Sequence, residues 1–249
     1  MTYRLLPLIA LTAVIAGAPA AYAANVPVVN ASFELPGVNA TPPFVTSGVI
    51  QGWQVGGVGG VWAPLHFPGT YTPPSGQQVG YTGPGSGSII FQDVGPVVPG
   101  ADYTLSVEVG QRGDFPLFDY RLLLGVWGPG GHDLATATVF AQASDGAGSP
   151  PPGSFIPVTL TGTDPTNLAG DLVIFLEGGN SAAFGTGGQA GWDNVALSVT
   201  TIPEPASLAA FWVGLLGLAG LRRASPHRKP IDSHGNATTI ASATASPAR

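Results

Sequence analysis

The sequence predicts an all-β protein, an antiparallel β-sandwich, and three observations carry that prediction. Apolar residues alternate with polar ones in several short runs. Gly- and Pro-rich segments such as GPGSGS, VVPGAD, GPGGHD and GAGSPPPG separate those runs. No long stretch repeats its apolar residues with the 3.6-residue period of a helix. Glycine (37) and proline (25) together make up about a quarter of the 249 residues, yet valines, leucines and aromatics are dense enough to build a core.

The chain opens with MTYRLLPLIALTAVIAGAPAAYA: one early positive charge, an apolar stretch from Leu5 to Ala16, and small residues leading to Ala21-Tyr22-Ala23. This is the layout of a secretory signal peptide, so residues 1–23 are expected to be removed after Ala23 and the rest exported. Export leaves packing, or a bound ion, to stabilise the body, because the sequence has no cysteine from which to form a disulfide.

Residues 24–200 form the expected sandwich domain. DYTLSVEVG places Tyr103, Leu105, Val107 and Val109 on one face. YRLLLGVWG does the same with Leu122, Leu124 and Val126, and SFIPVTLTG with Ile156, Val158 and Leu160. DLVIFLEG is apolar on both faces up to Glu177, as a central strand would be. WDNVALSVT closes the body with Val195, Leu197 and Val199 inward, and VIQGWQV, QQVGYT and SIIFQDV supply shorter strands. Between residues 24 and 201 twelve carboxylates face two guanidinium groups, Arg112 and Arg121. A surface this acidic repels phosphate backbones, which excludes nucleic acid as a partner and favours cations and neutral polymers.

Pro203-Glu204-Pro205 ends the body, and the sixteen residues Ala206–Leu221 that follow contain Ser207 as their single polar side chain. As a helix this segment is about 24 Å long, slightly short for a hydrocarbon core of about 30 Å. Arg222 and Arg223 snorkel to the interface and hold that end in the cytoplasm, leaving the proline-stiffened Glu204 segment extended on the outer side. The order Pro203-Glu204-Pro205, apolar span, Arg222-Arg223 resembles the PEP-CTERM sorting signal of Gram-negative bacteria. That resemblance implies recognition at Pro-Glu-Pro by a membrane-embedded exosortase, after a transient stop in the membrane through 206–221. Delivery to the cell surface or extracellular matrix would follow. A plain C-terminal anchor is the alternative. Residues 224–249, polar and rich in Ser, Thr and Ala, are expected to be a disordered tail.

The pieces VVNASFELPG, IQGWQV, SGQQVGYTG, SIIFQDV, VPGADYTLSVEVGQR and GWDNVALSV occur in the order found in the galactose-binding-like jelly roll of carbohydrate-binding modules, which the body resembles. The resemblance implies that Glu34 and Asp193 come together and hold a structural Ca²⁺. The other reading is that both carboxylates cap turns or accept backbone hydrogen bonds. It also implies sugar binding by aromatic rings. Trp53 and Trp192 match core positions, whereas Trp62 and Tyr71, in the long Gly/Pro-rich loop GGVGGVWAPLHFPGTYTPP, are candidate ligand-binding residues. The alternative for these two is aromatic plugs that pin the loop to the sheet.

His66 and His132 are expected to be solvated loop side chains. Neither GxSxG nor HExxH occurs, the body contains no lysine, and its Gly-rich runs precede no helix. The expectation is therefore a non-enzymatic surface or matrix protein associating with exopolysaccharide. A secreted glycan-active hydrolase built on the same sandwich, and a matrix protein without a specific ligand, stand as alternatives.

Overall fold

The computed structural model describes residues 21–201 apart from 41, 68, 85–86, 115–119, 129–133, 145–147, 166–167 and 179–187, together with Gly214. The chain divides into two compact units: Gly17–Pro203, and a second made of Met1–Ala16 with Glu204–Arg249. Gly214, in a helix, is the described residue of the second unit. The expected signal peptide up to residue 20, Pro203, Glu204, Pro205, Arg222, Arg223 and the tail lie outside the described residues, as does the 206–221 span apart from Gly214. Among the described residues no helix is long and apolar enough to cross a membrane.

The body is a sandwich of two antiparallel sheets. The first runs β3 (Gly59–Trp62), β4 (Val79–Thr82), β11 (Ala190–Thr201), β6 (Asp102–Gln111), β9 (Ser154–Thr163), with β1 (Tyr22–Val26) also pairing on β11. The second runs β2 (Gln54–Gly56), β5 (Ile89–Pro96), β10 (Asp171–Gly178), β7 (Tyr120–Trp127), β8 (Ala137–Ser144). Two short 3₁₀ turns, Pro64–His66 and Leu134–Thr136, complete the described regular structure.

Alternation decides which side chains meet between the sheets. Tyr103, Leu105, Val107 and Val109 of β6 pack against Leu122, Leu124 and Val126 of β7 and Leu172, Ile174 and Leu176 of β10, as the period-two pattern predicts. Strand β10 is central, and its other face carries Val173 and Phe175, which with Phe91 and Trp127 form a separate aromatic cluster. Trp53 and Trp192 are core residues, as expected. The indole N–H of Trp192 donates to the Thr82 hydroxyl at 3.0 Å, so this large ring buries its polar end with a partner.

A bulge in β11 positions the site. The register with β6 shifts between Asp193 and Ala196, and Asn194 adopts φ 49°. The extra residue changes the phase of alternation, so Trp192 and Val195 both face the core while Asp193 turns away from it.

Candidate functional site

The face of the first sheet turned away from the sandwich core sets large side chains over glycines. Val61 of β3 points inward, so Trp62 points outward, where it joins Val79 and Tyr81 of β4 in a second apolar cluster with Tyr71, Val45 and Phe155. Beneath them β11 and β6 present glycine. A Cβ at Gly191 would overlap the Tyr71 hydroxyl, and one at Gly110 would overlap the Phe155 ring. The rings therefore lie directly on the backbone. Tyr71 makes edge contacts with Trp62 at 5.4 Å and with Phe155 at 4.6 Å between centroids, and Trp62 meets Phe67 at 5.5 Å.

Arg112, just past the end of β6, supplies the polar wall. Its Nε and Nη2 donate to the two oxygens of Asp114 at 2.8 and 2.6 Å, and Nη1 donates to Gln189 Oε1 at 2.7 Å. Its guanidinium carbon lies 4.3 Å from the Trp62 ring centroid, a cation–π arrangement. Hydrogen bonding from Arg112 holds the Asp114 carboxyl below the usual carboxylate range. Val45, Trp62, Phe67, Tyr81, Arg112 and Gln189 enclose a hollow of about 210 Å³. A neighbouring hollow of about 270 Å³ lies between the covering loop and Gly153, with Tyr71 and Phe67 in its wall.

Burial pushes the Tyr71 phenol well above its ordinary pKa; the Arg112 charge opposes this, and Asp193 and Asp114 add to it. Among the described residues its hydroxyl has no hydrogen-bond partner. Tyr71 is thus a neutral phenol at the centre of a group of charges.

Glu34 and Asp193 are brought together at one end of this face, and the β3–β4 connection joins them. The amides of Gln77 and Gln78 both donate to Glu34 Oε1 at 3.0 Å, and the Ser75 amide donates to Asp193 Oδ2 at 2.9 Å. Gly76, at φ 59°, lies against the Glu34 carboxylate so closely that a Cβ would overlap it. Burial raises the Asp193 carboxyl to about 7, against the pull of the Ser75 and Asn194 amides, with the charges of Glu34 and Glu108 adding to the rise. Among the described residues no group of three or more acidic or histidine side chains forms a metal cluster. The pair itself is oxygen-only and, among the described residues, has no basic side chain bonded to it, a donor set that fits a hard divalent cation completed by backbone carbonyls.

The structure brings Trp62 and Tyr71 into contact with each other, but at 3% and 4% exposure neither offers an open ring face. His66 is exposed on the covering loop, stacked on Phe44 at 3.8 Å, with Nε2 2.9 Å from the Asn39 carbonyl oxygen. His132 lies outside the described residues. Arg112, Gln189 and Tyr81 are site residues that sequence reasoning did not single out. Arg112 had a legible signal, being one of two cations in the body; Gln189 had none.

A protein-family model described as HpiC1 cyclase, HpiC1-like, matches residues 24–198. Among solved structures, a Stig cyclase, Fisc, from Fischerella sp. TAU in complex with (3Z)-3-(1-methyl-2-pyrrolidinylidene)-3H-indole is similar at TM-score 0.55 and 23% identity, over 74% of this chain and 99% of that one. A cyclase from Fischerella sp. TAU in complex with 4-(1H-indol-3-yl)butan-2-one gives 0.55 and 22%, over 73% and 98%. The CBM22-1–CBM22-2 tandem domain of Paenibacillus barcinonensis Xyn10C gives 0.46 and 13%, over 73% and 48%. No curated protein matches the chain.

The family match overturns the expectation of a non-enzymatic body, since the matched family is one of cyclases. The physical reason for the error is that ring closure needs no nucleophile elbow, metal-binding helix or spaced carboxylate pair. Its demands are shape and orientation, which leave no short motif.

Proposed function

The chain belongs to the HpiC1-like cyclase family, and from that membership we propose that it is an exported cyclase closing a ring in a small aromatic substrate. The observation that carries the reading is the hollow beside Trp62, Phe67 and Tyr81 with a fixed guanidinium in its wall. Apolar walls with a few polar groups at set positions suit a small organic ligand. The half-open Phe67 ring, with the edges of Trp62 and Tyr81 beside it, would border a planar ring system and exclude water from it. Arg112, fixed by Asp114, Gln189 and the Trp62 face, would orient a heteroatom of the substrate without having to reorganise. Folding the substrate so that its reacting ends meet is then the principal contribution of the chain to the rate.

The finer parts of the reading rest on other support. Glu34 and Asp193 would hold Ca²⁺, which supplies positive charge to a half-buried and a buried carboxylate and ties the Ser75–Gln78 segment to the sheet. Export is supported by the layout of residues 1–23, and sorting by an exosortase-like enzyme by the order Pro203-Glu204-Pro205, apolar span 206–221, Arg222-Arg223. Delivery to the cell surface or matrix places the enzyme beside exopolysaccharide, a partner whose binding a pull-down with the exported protein would test.

Two-dimensional NMR of the exported protein titrated with 4-(1H-indol-3-yl)butan-2-one tests the site. Shifts centred on the Trp62 indole N–H, Arg112 Nε–H and the Gln189 amide are expected. Saturable shifts confined to the second sheet, or none at all, would remove the cyclase reading of this face.

A further inference from the structure

Tyr71 occupies the most ring-shaped space on the outer face, and it does so on poor terms. Its ring lies edge-on between Trp62 and Phe155, and its hydroxyl rests on the backbone at Gly191. That hydroxyl is buried and, among the described residues, has no hydrogen-bond partner, although a buried donor nearly always has one. The loop that carries it is also lightly held. Thr70 Oγ1 bonds back to the Pro64 and Phe67 carbonyls at 2.8 Å each, within the loop itself. Among the described residues Gly69–Thr72 make no hydrogen bond to either sheet. Where the loop crosses β6 and β9 it passes over Gly113 and Gly153, close enough that a Cβ at Gly113 would overlap the Gly69 carbonyl.

Resting on the proposed ring-closing site, we infer that Tyr71 is a displaceable plug, not a ligand-stacking residue: it fills the slot that the substrate's ring takes, and binding drives it out. Tyr71 lines the hollow of about 270 Å³, its contact Trp62 lines the one of about 210 Å³, and Phe67 stands in the wall of both. Each alone is smaller than the roughly 300–1,000 Å³ typical of a small-molecule cleft. Removing the phenol enlarges the hollow that Tyr71 lines, down to the backbone at Gly191. The slot then has an aromatic edge at each end, Trp62 and Phe155, and the Arg112–Asp114 pair beside it, so it takes a flat ring of phenol or indole size carrying a polar group at its rim. The plug also sets specificity. A ligand without such a ring gains nothing to offset the loss of Tyr71 packing, because a ligand shifts a conformational equilibrium only by its differential affinity for the two states. The observed affinity of any ring is lowered by the fraction of molecules in which the slot is closed.

The test uses the wild-type protein with indole as the probe. Tyrosines are nitrated with tetranitromethane with and without saturating indole, and nitration is mapped by peptide mass spectrometry. Tyr71 is expected to react at least tenfold faster with indole bound, while Tyr103, a core residue, does not change. In parallel, Tyr71→Phe removes the unpartnered hydroxyl and should raise Tm while weakening indole binding about threefold or more, because the closed state gains. Indole that binds, by NMR line broadening at Trp62, without altering Tyr71 nitration would overturn the plug and leave the pocket reading intact. Indole that binds nowhere on this face would overturn both.

Discussion

The amide of Val195 donates to the carbonyl of Ala31 at 2.9 Å, tying the last strand of the sandwich to the segment that enters it. The Ser75–Gln78 segment bonds to Glu34 of that entering segment and to Asp193 of the last strand, so it meets both ends of the body at one place. A cation there would clamp all three. At a free calcium concentration one hundred times its Kd, stabilisation of about 2.7 kcal/mol is expected. Calorimetry with calcium and with chelator measures it, and Glu34→Gln should abolish the response.

Trp192 and Thr82 provide a prediction for the core. Both are fully buried, and the indole N–H has its partner in the Thr82 hydroxyl. Trp192→Phe leaves that hydroxyl without its bond and should cost about 1–3 kcal/mol, beyond the loss of ring volume. Adding Thr82→Val to the Trp192→Phe variant should recover part of the loss, a coupling that urea denaturation of wild type, the two single variants and the double variant would reveal.

Asp164 predicts a pH dependence outside the site. It is 1% exposed, and burial raises its pKa against the pull of the Gly100 amide. A carboxyl raised on folding favours the native state below its unfolded pKa, and that contribution is lost as pH rises from about 4 through the folded value. Asp164→Asn is uncharged throughout, so it should be more stable than wild type at pH 7. Its stability should also be flatter across the acid range, as thermal melts in a pH series would show.

Gly60 tests how the covering segment is hooked to the sheet. Thr46 N donates to the Val61 carbonyl at 2.8 Å and the Tyr81 hydroxyl donates to the Thr46 carbonyl at 3.0 Å. A Cβ at Gly60 would run into that carbonyl. Gly60→Ala should cost about 1–3 kcal/mol and speed hydrogen exchange at the Thr46 amide more than at core amides.

Arg112→Lys probes the site wall. A lysine keeps the charge but loses the fork that grips Asp114 and the flat face that lies on Trp62. Turnover is expected to fall between about ten- and a hundredfold with little change in Tm.

Much of this fold could be read directly because burial sets alternation. Tyr103 to Val109, Leu122 to Val126 and Leu172 to Leu176 each show their inward face in the sequence, and the doubly apolar DLVIFLEG is the central β10. Three strands were hidden. β3 lies inside what reads as a Gly/Pro-rich loop, because Gly59 and Gly60 are needed where the Tyr81 and Thr46 carbonyls approach. β8, ATVFAQAS, is an edge strand with neither face fully buried, so it has little pattern to show. β1 begins at Tyr22, ahead of the cut expected after Ala23. The site was half legible. Trp62 and Tyr71 stood out as aromatics in a long loop, but their partners Arg112, Gln189 and Tyr81 come from three separate parts of the chain. The topology of β4, β6 and β11 joins them, and no spacing in the sequence records it.

The most direct measurement is turnover. The exported protein is incubated with open-chain indole-bearing precursors, and the products are separated by liquid chromatography and identified by mass and NMR. A ring-closed isomer formed by wild type, absent with heat-denatured protein and at least tenfold slower with Trp62→Ala, is the predicted result. Precursors returned unchanged by a folded, ligand-binding protein would contradict it.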